Sequence, residues 1–289
     1  MTQPAYTFEE MEPQYNFRAR RPDYASVVEP EWVSRSERFR ATANGLLDLQ
    51  YGPGERDRLD FFPAQQAGGP VVIFFHGGYW QRGDKSLYSF LAEPFVRHGI
   101  GFALVNYNLC PSARVSDIPL QARRAVAWMH DNAAGLGGAP DRLYVMGHSA
   151  GGHITAMLMA TDWNEVAGHL PRRLLKGGIP ISGLFDLEPL LYTSINNALN
   201  MDAAEAAAQS PMRHPPQPGG PMLIVCGGAE TEYLKRQSDD YACRYAAADL
   251  PIERYDVPGC DHFDVLNALV QEDSVFFGKV HNLINASQG

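Results

Sequence analysis

The chain has 289 residues, 45% of them hydrophobic and 20% charged, with a formal charge of −9. A chain of this length can bury one large core without disulfide or metal staples, and its acidic balance supplies no basic surface for nucleic acid. No apolar run approaches the ~18 residues that a membrane span requires, so neither class of partner is expected. The first ten residues, MTQPAYTFEE, lack the basic start and apolar core of a secretory signal, and a cytoplasmic protein is expected. Residues 1–40 contain no clear strand. Their aromatics Tyr6, Phe8, Tyr15, Phe17, Tyr24, Trp32 and Phe39 are too many for a disordered tail, so a helical or irregular arm should pack beside the functional face.

From there, strand-like and helical runs alternate, the pattern of βα units on a parallel sheet. Strands are expected at 46–51, 58–62, 71–76, 102–107, 143–147, 178–182, 222–227 and 252–257, with helices at 86–98, 118–132, 150–161, 203–209, 232–248 and 265–283. The first two strands alternate in polarity, which suits antiparallel edge strands. Val71–Phe75 and Met222–Cys226 are continuously apolar, which suits strands covered on both faces. Residues 186–216 interrupt the alternation with a helical insertion that reads as a small cap, and the prolines and glycines of 211–221 mark a loop before the next strand. One α/β domain over 1–289 is expected, an eight-stranded mostly parallel sheet with helices on both faces and a small helical cap. The four cysteines, Cys110, Cys226, Cys243 and Cys260, have no C-x-x-C spacing and read as free buried thiols.

The chemistry starts at Gly147-His148-Ser149-Ala150-Gly151, between an apolar strand and a small-residue helix. A serine on so sharp a strand-to-helix turn needs glycines on both sides and projects its hydroxyl away from the sheet, while the Ala150 amide opens the helix toward an oxyanion. His76-Gly77-Gly78-Tyr79-Trp80 ends the most apolar strand, and its paired glycines let backbone amides approach a developing oxyanion, so Gly77 or Gly78 with Ala150 would form the hole. Among nine histidines, His262 alone lies in the loop after the last strand, from which an imidazole can swing over the serine. His148 should point to the other side of the turn, and His153 reads as a satisfied helix residue. His98, His130, His169, His214 and His281 have no evident chemical neighbourhood.

In the chain order serine, acid, histidine, the carboxylate belongs after the strand at 222–227. Glu230 is the first choice, Asp186 the alternative, and Glu232 reads as a first-turn helix residue. In these roles His262 would take the Ser149 proton, the alkoxide would attack a carbonyl, and water would then release the acyl group. Tyr79, Trp80 and Phe185 could line an aromatic leaving-group site. No H-E-x-x-H or comparable metal spacing occurs, and no metal or cofactor is expected.

The HGGYW and GHSAGG segments, with Val105-Asn106-Tyr107-Asn108-Leu109-Cys110-Pro111, resemble the α/β-hydrolases of the arylformamidase (kynurenine formamidase) group and its HGGxW esterase relatives. The resemblance extends to Tyr15-Asn16-Phe17-Arg18-Ala19-Arg20, to Tyr51-Gly52 followed by Arg58-Leu59-Asp60-Phe61-Phe62-Pro63, to Ser182-Gly183-Leu184-Phe185-Asp186-Leu187 and to Arg236-Gln237-Ser238, and so to nearly the whole chain. It implies the α/β-hydrolase fold and metal-free hydrolysis of an N-formyl aryl amide such as N-formylkynurenine. In that group the acid before R-Q-S is commonly Asp, where this chain has Glu230. A carboxylesterase for short-chain or aryl esters is the alternative, and a non-catalytic scaffold a third reading. The expected partner is a small-molecule substrate, with a homodimer left open.

Overall fold

The computed structural model describes residues 6–218, 220–246 and 250–286. Residues 1–5 of the arm, 247–249 at the end of the helix expected to reach Ala248, and 287–289 of the expected domain lie outside the described residues.

Eight strands form one sheet: β1 (Leu46–Gln50), β2 (Arg58–Phe62), β3 (Gly69–Phe75), β4 (Gly101–Val105), β5 (Gly138–His148), β6 (Leu175–Ile181), β7 (Met222–Gly227) and β8 (Ile252–Val257). Their order is β1-β2-β4-β3-β5-β6-β7-β8. β1, β2 and β4 pair antiparallel and all the remaining neighbours pair parallel. Val71 to Phe75 in β3 are wholly buried, as a central strand covered by helices on both faces must be.

Only β1 lies at the sheet's antiparallel edge; β2 is interior, and Leu59–Phe62 are buried. Its Asp60 is buried without becoming an isolated charge because Lys85 Nζ lies 2.9 Å away and Arg40 donates to the other carboxylate oxygen. The polar–apolar alternation of this strand therefore marks a buried ion-pair position and not a solvent face.

The expected helix 86–98 begins as a 3-10 turn, Lys85–Leu91, and becomes α-helical over Ala92–Arg97. The helix expected over 265–283 is two helices, Asp264–Leu269 and Val275–Asn285. Ser274 makes the break by accepting a hydrogen bond from the Phe277 amide at 3.0 Å, an N-cap that starts a new helix within an otherwise continuous apolar period. The helix from Glu232 ends at Tyr245, where Ala246 turns to extended backbone. All four cysteines are free, but Cys243 is exposed and Cys260 only half-buried, because they stand on the outer face of a helix and in a loop. Among the described residues no helix is long and apolar enough to cross a membrane.

The carboxyl ends of the parallel strands converge on one rim, where α/β sheets place their ligands. β3 leads to His76-Gly77-Gly78, β5 to Ser149, β6 to Ser182, and the segments after β7 and β8 carry Glu230 and His262. The arm forms the helices Phe8–Tyr15, Phe17–Arg20 and Glu29–Thr42, and residues 186–216 the short helices Glu188–Tyr192, Asn196–Leu199, Ala203–Ala208 and Pro211–Arg213; Phe17, Trp32, Ser194 and Ile195 from these segments line a cavity with Ser149.

Candidate active site

Ser149 stands between β5 and the helix Ala150–Met159 with φ 58° and ψ −117°. A non-glycine residue holds that backbone only where its surroundings over-determine it. Two glycines allow it: a Cβ on Gly147 would overlap the Gly151 carbonyl, and one on Gly151 would overlap the Phe75 carbonyl of β3. The Ser149 amide is fixed at 2.9 Å to Ile181 O in β6, and Ala150 offers the first amide of a helix, which has no intrahelical acceptor.

The turn after β3 is held as firmly. Gly78 has φ 117°, and Tyr79 and Trp80 follow with φ 50° and 54°. The amides of Gln81 and Arg82 both close onto Gly78 O, at 3.0 and 3.2 Å, and the Trp80 carbonyl accepts from Cys110 N at 2.7 Å. Tyr107 supports the turn from below: its hydroxyl donates to His76 O at 2.7 Å and its ring stacks on the His76 imidazole at 4.4 Å. The Gly78 amide itself has no hydrogen-bond acceptor among the described residues.

After β8, His262 is brought onto Glu230. Its Nδ1 lies 2.8 Å from Glu230 Oε2, with the carboxylate side chain wholly buried and the imidazole nearly so. The other carboxylate oxygen accepts the Ser182 hydroxyl and lies 3.4 Å from the Gly227 amide. The carboxylate is thus satisfied on both oxygens and aimed at one ring nitrogen, which fixes the tautomer that leaves Nε2 able to accept a proton. Ser149 and His262 both line a cavity of about 280 Å³, at the lower end of small-ligand sites and suited to a single-ring molecule. The Ser149 hydroxyl makes no hydrogen bond among the described residues.

Of the other expected site residues, Gly77, Gly78 and Tyr79 line this cavity. Trp80 does not: it is wholly buried, edge-on to His153 at 4.9 Å, because the left-handed turn that brings Gly78 to the cavity carries the next-but-one ring into the core. Phe185 is also wholly buried, stacked on Tyr241 at 4.4 Å, with its amide donating to Gln237 Oε1. Neither ring can touch a substrate in this cavity. Asp186 lies elsewhere, its Oδ1 accepting from Glu188 N at 3.1 Å, and Glu232 is an exposed first-turn residue paired with Lys235 at 3.0 Å.

Three contacts were not anticipated. Phe17, from the arm, lies flat on the His262 ring with centroids 3.8 Å apart and continues the stack to Tyr79 at 5.9 Å. His148 does not turn away from the site; its Nε2 lies 2.7 Å from the His262 carbonyl, tying the serine turn to the histidine loop. Burial and then the charge of His262 push the His148 pKa well below its ordinary value, so it remains a neutral donor. Ser182, at the end of β6, anchors Glu230. Only the Phe17 contact had a signal, the aromatic richness of the arm.

The arm itself is bound at many points. Tyr79 donates to Tyr15 O at 2.6 Å, Thr231 donates to Gln14 O at 2.9 Å, Gln237 donates to the Tyr15 hydroxyl at 2.6 Å, and Arg21 bridges Asp261 and Asp264 beside His262. Donating hydrogen bonds to Asp264 and Asp261 raises the Arg21 pKa, so this clamp stays charged at any working pH. Away from the cavity, His130 and His169 do have a neighbourhood: both ring nitrogens meet Asp131 Oδ1, at 3.2 and 3.0 Å.

Residues 59–177 match the BD-FAE family. The kynurenine formamidase of Salmo salar is 32% identical over 246 residues, covering 82% of this chain and 81% of its own. A solved structure of a proposed thioesterase from Silicibacter sp. TM1040 is 31% identical, covers 95% of this chain and 98% of its own, and superposes with a TM-score of 0.82. Esterase B of Lactobacillus rhamnosis, 16% identical over 91% of this chain and 97% of its own, shares the fold with a TM-score of 0.71.

Proposed function

Because the chain belongs to the kynurenine formamidase family of α/β-hydrolases, we propose that it hydrolyses the formyl group from an aryl amide such as N-formylkynurenine through an acyl-enzyme on Ser149. The observation that carries this reading is the buried His262–Glu230 pair at 2.8 Å, in a cavity shared with a serine held at positive φ. His262 Nε2 removes the Ser149 proton as the hydroxyl attacks the formyl carbon. The carbonyl oxygen, now negative, is held by the Gly78 and Ala150 amides, with Gly77 the alternative donor on the same turn. His262 returns its proton to the departing aryl amine, and the formyl group stays on Ser149. Water then repeats attack and proton transfer, releasing formate. Glu230 stabilises the imidazolium in both halves and is not itself protonated.

Tyr79 and Phe17 form an aromatic wall beside His262, apt for an aryl leaving group. In this reading the chain is one α/β-hydrolase domain over 1–289, with 1–40 as an arm and 186–216 as a cap, working in the cytoplasm on a small molecule. Light scattering in solution separates monomer from homodimer.

The likeness to a proposed thioesterase at 31% identity favours a second reading, an esterase for short-chain or aryl esters built on the same residues. A panel of formanilides and aryl esters of increasing acyl length, run beside Ser149→Ala protein, separates the two. The formamidase reading expects formyl substrates to lead and each added methylene to lower kcat/KM about tenfold against a closed pocket. Formanilides left uncleaved while acetate and butyrate esters turn over would establish the esterase.

A further inference from the structure

The mouth of the cavity carries charge that the acyl-transfer chemistry does not use. Arg18, Glu29 and Arg82 line it with Tyr24, whose ring lies 4.4 Å beneath the Arg18 guanidinium. Arg18 and Glu29 approach only to 3.7 Å, and both are well exposed, so the pair is loose and leaves room for a third group. Arg82 makes neither a side-chain hydrogen bond nor an ion pair among the described residues. The Arg82 side chain is exposed; partial burial and then the Arg18 cation act to lower its pKa while Tyr24 and Glu29 act to raise it, so a like charge stands beside it with no bonded counter-ion.

Position gives this cation its meaning. The Arg82 amide closes onto Gly78 O at 3.2 Å, so the guanidinium rides on the turn that offers the Gly78 amide to the oxyanion. Phe17, Arg18, Tyr79 and Arg82 line one cavity with Ser149, so a leaving group lying along Phe17 and Tyr79 would come within reach of these cations. A planar fork of donors there matches a carboxylate and gives a neutral substrate nothing equivalent.

We propose that Arg82, assisted by Arg18, is a specificity-determining site for a carboxylate on the leaving-group side of the substrate, so that anionic aryl formamides or esters are preferred over neutral ones. This rests on the acyl-transfer reading of Ser149 but not on whether the bond cleaved is an amide or an ester. The test compares a formanilide carrying a meta propanoate chain with its carboxamide isostere, and the corresponding pair of aryl acetates, on wild-type, Arg82→Gln and Arg82→Lys enzymes.

The expected result is an acid-to-carboxamide ratio of kcat/KM that falls about tenfold or more in Arg82→Gln, largely through KM, with partial recovery in Arg82→Lys. A ratio unchanged by Arg82→Gln, whatever happens to the absolute rates, overturns the proposal, as does an enzyme that turns over neither pair. If only the acetates are cleaved and their ratio responds to Arg82, the formamidase reading fails and the carboxylate site stands. If formanilides are cleaved at a ratio near one, the carboxylate site fails and the formamidase reading stands.

Discussion

Replacing Glu230 by Gln keeps the size of the side chain and removes its charge. In the native chain one carboxylate oxygen accepts from His262 Nδ1 at 2.8 Å, while the other accepts the Ser182 hydroxyl and faces the Gly227 amide at 3.4 Å. A glutamine can turn its oxygen to His262, but its NH₂ then meets the Gly227 N–H, donor against donor, so orientation is kept only in part. Attraction for the imidazolium that forms as Ser149 gives up its proton is lost outright. Unit charges ~4 Å apart at an effective dielectric of about 20 interact by about 4 kcal/mol, which corresponds to about 10³ in rate. The assay is kcat and KM on a formanilide and an aryl acetate, with thermal melting to check folding. Glu230→Gln should lower kcat about 10³-fold and change KM by no more than about threefold, since the loss is confined to the transition state. Asp186→Asn should leave kcat within about threefold, because Asp186 caps its own turn and lies off the cavity. A Glu230→Gln enzyme with most of its activity, or a larger loss from Asp186→Asn, would refute the assignment.

Removing the Phe17 ring from its stack on His262 should lower stability by about 3 kcal/mol and kcat about tenfold by loosening the imidazole; melting and steady-state kinetics check both, and a fall in stability with kcat unchanged contradicts the second. Gly151→Ala should yield no folded enzyme, read by circular dichroism and solubility, since its Cβ would strike the Phe75 carbonyl in the central strand. Stability should fall with acid. Burial lowers the folded pKa of His76 and of His153 to about 4, so between pH 6.5 and 4 the unfolded chain binds the protons first. The contribution of each, about 3 kcal/mol as an order of magnitude, is complete above the unfolded value and lost as pH falls toward the folded one. Urea unfolding at pH 7.5 and 5 should show it, and equal stability at the two values would count against it.

The sheet was legible because its signal is local: continuous apolar runs such as Val71–Phe75 can only be covered strands, and Met222–Gly227 and Ile252–Val257 end where their turn residues begin. The serine turn was legible for the same reason, since its glycines are dictated within five residues. What escaped is set by distant neighbours. Nothing near Trp80 in the sequence says that its ring turns inward toward His153, or that Phe185 stacks on Tyr241, because an aromatic residue reads the same on either side of a turn. Phe17 lies far from His262 in sequence, and His148 reaches the His262 carbonyl only because β5 brings the serine turn beside the loop after β8. The break between Leu269 and Val275 was hidden because the apolar spacing continues through it and only the Ser274 cap interrupts it.

The central claim is that Ser149 carries the acyl group, and covalent labelling tests it most directly. The intact enzyme is incubated with an aryl phosphonofluoridate and analysed by peptide mass spectrometry, beside Ser149→Ala protein. The account predicts one adduct, on the peptide containing Ser149, formed in step with loss of activity and absent from the variant. An enzyme that keeps its activity while unlabelled, or a Ser149→Ala protein that still hydrolyses the substrate at the wild-type rate, would contradict it.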